Sequence, residues 1–168
     1  HSFPTRRSSD LVLRDCVKKV TAVVGTGASG QQYDDVLIES AGDQIDWCAT
    51  DSVRLSVRSL VWTGLPAFRV LVKAGALQEA ARLAKGDALI DVAIGSDQIE
   101  FRFGQTEIRA RLSDKTFPNF RNILPKSQKA AITVRTLEMI DGLNGILPMA
   151  RDAKGRVYLD IKIGRAHV

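Results

Sequence analysis

Leu89-Ile90-Asp91-Val92-Ala93-Ile94-Gly95-Ser96-Asp97-Gln98-Ile99-Glu100-Phe101-Arg102-Phe103-Gly104-Gln105-Thr106-Glu107-Ile108-Arg109-Ala110-Arg111-Leu112 carries the clearest structural signal in this 168-residue chain. Apolar and polar residues alternate through Leu89–Ile94, Gln98–Phe103 and 106–112, which is the period of a strand with one buried face. Ile99, Phe101 and Phe103 fall on one face, and Glu100 and Arg102 on the other. Gly95-Ser96-Asp97 and Gly104-Gln105 supply tight turns, so the three strands are expected to form an antiparallel meander.

Working outward, residues 74–85 read as a helix closed by Gly86, with Gln78, Arg82 and Lys85 facing outward. Before it, residues 36–40, 44–49, 55–62 and 68–72 read as short strands, with turns at Ala41-Gly42-Asp43 and Thr63-Gly64-Leu65-Pro66. Residues 13–24 place Leu13, Cys16, Val17, Val20, Val23 and Val24 three and four apart, with Arg14, Asp15, Lys18 and Lys19 between them. That spacing predicts an amphipathic helix with a basic outer face. Downstream, a strand at 130–134, a helix around 136–149 and a strand at 156–161 restart the strand-helix-strand order, placing a domain boundary near Ser127-Gln128-Lys129. The class is α+β, with domains of one repeated design.

Composition narrows the chemistry. The only histidines are His1 and His167, so the interior of the chain lacks the side chain that most readily moves protons near neutral pH. Cys16 lies on a helical pattern and Cys48 in a strand pattern, and they read as buried thiols of a reducing compartment, with a disulfide between them as the alternative. Asp34, Asp35, Asp43, Asp46 and Asp51 are candidate magnesium ligands, but acidic residues beside turns more often form turns or caps. Gly25-Thr26-Gly27-Ala28-Ser29-Gly30 matches the Gly-x-Gly-x-x-Gly pattern of dinucleotide loops, which offers a cofactor-binding enzyme as the alternative reading. That motif needs a strand before it and a helix after it. Here a helical pattern precedes it, which favours a surface loop.

The two ends stand apart. His1-Ser2-Phe3-Pro4-Thr5-Arg6-Arg7-Ser8-Ser9-Asp10-Leu11 and Ile163-Gly164-Arg165-Ala166-His167-Val168 resemble translated sequencing-library adapters. Residues 1–11 and 163–168 are therefore set outside the fold, and the remainder is read as an internal piece of a gene. The net charge is +5 for the whole chain. The ends hold Arg6, Arg7, Arg165 and Asp10, so two of those charges belong to them. What is left is a mildly basic protein, compatible with nucleic acid.

Two further segments lie far apart: Ala49-Thr50-Asp51-Ser52-Val53-Arg54-Leu55 and Phe117-Pro118-Asn119-Phe120-Arg121-Asn122-Ile123-Leu124-Pro125. They resemble the Ala-Thr-Asp-Gly-His-Arg-Leu and Phe-Pro-Asp-Tyr-Arg-x-Val-Leu-Pro stretches of the bacterial sliding clamp, the beta subunit of DNA polymerase III. The resemblance implies a middle clamp domain over 12–128 lacking its first strand, then a truncated third domain over 129–162. It also implies the clamp fold, with antiparallel sheets outside and two helices on the DNA-facing side. The full-length parent would be a cytoplasmic bacterial homodimer ring, without catalytic activity, cofactor or metal. It would encircle duplex DNA and tether polymerase, clamp loader and repair proteins by short peptides.

Carried over residue by residue, Thr50, Arg54, Leu55, Pro118 and Ile123 would line the peptide cleft between the middle and third domains, with Tyr33 at its edge. Arg14, Lys18, Gln31, Gln32, Lys73, Arg82 and Lys85 would face DNA. Charges on helical faces without interleaved aromatic residues suit sequence-independent phosphate contact. The chain departs from the family pattern at Ser52-Val53, where Gly-His is usual, at Asn122, where arginine is common, and at Val72, where proline is frequent.

Overall fold

A computed structural model describes residues 6–26, 32–84, 89–127, 131–152 and 157–159. In chain order it contains β1 (Arg6–Ser9), α1 (Asp10–Thr21), β2 (Gly25–Thr26), β3 (Gln32–Tyr33), β4 (Asp35–Ala41), β5 (Gln44–Thr50), β6 (Leu55–Val61) and β7 (Phe68–Lys73). There follow α2 (Ala74–Leu83), β8 (Leu89–Ile94), β9 (Gln98–Phe103), β10 (Thr106–Arg111), a single 3-10 turn at Phe120–Asn122, and α3 (Thr136–Asp152). His1–Ile123 and Leu124–Val168 form separate compact units.

In the first unit, one sheet runs β1-β8-β9-β10 and the other β6-β5-β4-β7, with β2-β3 a small ladder apart. Every ladder among the described residues is antiparallel. The meander expected at 89–112 is present with the expected faces: Ile99 and Phe101 are buried, while Arg102 lies on the outside and reaches Glu100 at 2.6 Å. α1 and α2 pack on each other and on the sheets. Leu13, Cys16, Val17 and Val20 of α1 meet Leu77 and Ala80 of α2 over Ile38, Trp47, Ile90 and Phe101.

The second sheet is covered on both faces, so β4 has no polar side in its burial pattern. Val36 and Ile38 point into the helix-covered core, whereas Leu37 joins Cys48, Leu71 and Phe120 in a second apolar cluster on the opposite face. Both cysteines are buried and free. Loss of hydration pushes the Cys16 thiol up to about 11 and the Cys48 thiol to about 12, which keeps both protonated at neutral pH.

Four expectations are corrected. Residues 6–9, set outside the fold, pair as an edge strand with β8; a ladder uses backbone groups, which any sequence provides. α1 starts and stops three residues earlier than its apolar spacing suggests. In its last turn the Thr21 hydroxyl donates back to the Val17 carbonyl at 2.8 Å, and Val23 and Val24 reach the core from the turn that follows. α2 ends at Leu83, and Lys85 and Gly86 lie outside the described residues. In the second unit α3 forms, but residues 131–135 and 157–159 are not strands. No neighbouring strand pairs with them among the described residues, and an unpaired strand leaves its backbone groups unsatisfied.

Candidate functional site

The turn joining β5 to β6 is locked by its own side chains. Asp51 Oδ1 accepts from the backbone N–H groups of Val53 (3.0 Å) and Arg54 (2.7 Å), and Oδ2 accepts from Arg54 Nε (2.9 Å) and Nη2 (2.8 Å). The Thr50 hydroxyl donates to the Arg54 carbonyl at 2.7 Å and accepts from the Ser52 N–H at 3.1 Å. These bonds, led by the Arg54 backbone N–H and then its guanidinium, hold the Asp51 carboxyl at about 2. Asp51 is thus a turn former, as acidic residues beside turns usually are.

Ser52 sits at φ 74, in the left-handed region. That conformation suits glycine, which has no side chain to clash there. Ser52→Gly is accordingly expected to stabilise the chain by about 0.5–1 kcal/mol. An unchanged or lower urea midpoint would show that the turn is not strained.

The second segment docks on the same face of the sheet, where the register explains its fit. Val57, Cys48, Leu37 and Leu71 form one cross-strand row, and Ser59, Asp46, Glu39 and Arg69 the next. Phe120, only 2% exposed, lies on the apolar row together with the partly buried Leu55, Val57 and Phe117. Arg121 lies on the acidic row. One of its amines donates to Glu39 Oε1, and Nη2 donates to Asp46 Oδ2 at 2.7 Å. Its guanidinium also sits 4.7 Å from the Phe120 ring centroid.

Leu55 and Phe117 are thereby brought to one apolar cluster, with exposed Pro118 and Ile123 on the segment that covers it. The Thr50 hydroxyl and the Arg54 guanidinium are engaged in the turn, although Arg54 remains largely exposed. Tyr33 pairs with Gly25 in the β2-β3 ladder and is not a member of this cluster.

Of the basic residues, Arg14, Lys18 and Arg82 line one groove between α1 and α2, with Gln78 and Thr21. Arg82 also pairs with Glu79. Lys73 is placed elsewhere, at the end of β7, where it joins Lys115 in a cluster with Asp34 and Asp35. The Lys73 ammonium, more than any other neighbour, lowers the Asp34 carboxyl to about 2. Gln31 and Lys85 lie outside the described residues, and Gln32 is on β3.

The dinucleotide reading does not survive. Gly25 and Thr26 follow α1 and form β2, an antiparallel partner of β3, so the loop has a helix before it and a strand after it. A phosphate-binding turn requires the reverse order. Residues 27–30 of that loop lie outside the described residues.

The ion network of Glu39, Asp46, Arg69 and Arg121 was missed by sequence reasoning. Its partners are 75 and 82 positions away from Arg121, and the sequence shows only that Glu39 and Asp46 fall inside strand patterns.

The family model for the central domain of the DNA polymerase III beta subunit matches residues 9–119. The beta sliding clamp of Escherichia coli K12 is 34% identical over 94 residues, covering 55% of this chain and 26% of that protein. The beta sliding clamp of Halalkalibacterium halodurans is 24% identical over 151 residues, covering 87% of this chain and 40% of the relative. Among solved structures, the sliding clamp of Bacillus subtilis superposes with a TM-score of 0.81 at 21% identity, covering 92% of this chain and 41% of that one. A Pseudomonas aeruginosa clamp bound to griselimycin superposes at 0.66 with 23% identity, covering 75% and 35%. The chain thus spans only 26% to 40% of the length of these two curated relatives. With the family model matching about two thirds of it, the chain belongs to the DNA polymerase III beta subunit family, whose central domain it carries.

Proposed function

We propose that the chain is part of a bacterial processivity factor, a non-catalytic ring that encircles duplex DNA and tethers polymerase, clamp loader and repair proteins. In the full-length parent, a cytoplasmic homodimer would close the ring, residues 12–128 would be the middle domain, and residues 129–162 would begin the third. The observation that carries this reading is the meeting of Leu55 with Phe117 and Phe120 on one apolar cluster. An apolar slot of this kind takes one or two anchor side chains of a short peptide, while polar groups at its rim orient the backbone. Thr50, Arg54, Leu55, Pro118 and Ile123 form that slot in our reading, with Tyr33 toward its edge.

The test is a titration with griselimycin, which binds a Pseudomonas aeruginosa clamp. Saturable binding that a short partner peptide displaces supports the reading; no binding by the folded chain removes it.

Duplex DNA would pass the α1–α2 face. Arg14, Lys18 and Arg82 offer phosphate contacts that read no bases, which a sliding ring requires. Family resemblance would also bring Gln31, Gln32, Lys73 and Lys85 toward DNA, although Lys73 stands off the α1–α2 groove at the end of β7, with its charge already shared with two aspartates. Replacing Arg14 and Lys18 together by glutamate is expected to weaken binding to duplexes of every sequence alike. The slope of log affinity against log salt should fall by about one for each phosphate no longer neutralised. An unchanged slope, or a weakening confined to one sequence, would remove these residues from the DNA face.

A further inference from the structure

The docking segment Phe117–Ile123 is held on the sheet by charge as well as by Phe120. Glu39 and Asp46 are cross-strand partners on β4 and β5, and both residues are buried, at 7% and 5% exposure. Two carboxylates directly opposite each other repel, and burial removes the water that would screen them. Arg121 spans the pair, one amine on each acid. Arg69 Nη1 donates to the other Glu39 oxygen at 2.8 Å, and its Nη2 donates to the Phe117 carbonyl at 3.3 Å. Gln44 Nε2 completes the set on Asp46 Oδ1 at 2.6 Å.

The two arginines therefore grip both ends of the segment and meet on one glutamate. Between and beyond those grips, Pro118 and Ile123 are exposed, Ile123 at 61%, so little packing of their own fixes them. A planar guanidinium can bridge two acids at once, which an ammonium cannot do with the same geometry.

We propose that Arg121, with Arg69, is a positioning device for partner docking: by bridging buried Glu39 and Asp46 it fixes the Phe117–Ile123 rim and so sets where Pro118 and Ile123 meet a ligand. This rests on the docking reading above. Preorganising a rim spares the ordering cost that binding would otherwise carry.

The test uses the whole chain, with griselimycin as probe and backbone hydrogen exchange as a second readout. Arg121→Lys keeps the charge and loses the bridge. Amides of residues 119–123 are expected to exchange about tenfold faster, with β4 and β5 at unaltered rates. Removing Arg121 alone would strand two buried acids, so the decisive variant is neutral: Arg121→Met with Glu39→Gln and Asp46→Asn. It is expected to stay folded by circular dichroism and to bind griselimycin about tenfold more weakly, the cost of re-ordering one or two residues on binding. Unaltered affinity in the neutral variant would show that Arg121 only balances charge and would overturn the proposal. If the unsubstituted chain fails to bind griselimycin, the docking reading falls, and the exchange rates alone decide the grip: faster exchange upholds it, unaltered exchange overturns it.

Discussion

On the proposed docking reading, Ile123→Asp is expected to weaken griselimycin binding about a hundredfold, the loss typical of a key apolar contact in an interface, while barely changing the stability of the chain. The side chain stands 61% exposed in the free protein, so an aspartate there remains hydrated until a ligand covers it. Binding would then bury a carboxylate against an apolar partner, which is costly without a counter-charge. Exposed substitutions of this type usually move stability by no more than about 0.5 kcal/mol. In a ring-closing parent, retention on circular DNA should be untouched, because the basic groove belongs to α1 and α2. The pairing of reduced affinity with kept stability is the informative result. Unchanged affinity would place the cleft elsewhere.

Phe120→Ala carries the largest expected effect on stability, about 3–5 kcal/mol, from reduced burial and the cavity left behind. Phe120 is 2% exposed and is the residue through which the 117–123 segment enters the apolar row of Leu37, Cys48 and Leu71. The urea midpoint should fall with little change in slope, since the rest of the sheet is sealed by the helix-side core. A loss below about 1 kcal/mol would show that the second cluster unfolds independently of the main one. The substitution also removes the ring beneath the Arg121 guanidinium, so the docking rim should loosen with it.

Much of the framework was legible because strands with one dry face announce themselves. β8 and β9 stand where the alternation puts them, and β10 gives up only Leu112, which forms a bridge to Val72 instead. β4, β5, β6 and β7 were located within a residue or so, yet periodicity did not reveal that β4 and β5 are covered on both sides. A strand buried on both faces loses its alternation, so which residues face the helices and which face the 117–123 segment is hidden. The helices were found, but their ends moved. Apolar spacing reports which residues reach the core, and Val23 and Val24 reach it from outside the helix.

Local chemistry, then, was determined by the sequence alone: the meander over 89–112, two amphipathic helices, and an aspartate turn at Asp51. The family resemblance rested on short motifs whose internal order carries its own geometry. Only the tertiary structure decided which distant residues share a row. Cross-strand register sets Glu39 beside Asp46 and Leu37 beside Cys48, and chain folding then lays Phe120 and Arg121 across those two rows. Register is a property of paired backbones, and a single strand's sequence does not state its partner; that is why the acidic pair, the arginines that satisfy it and the pinned docking segment appear only once the sheet is assembled.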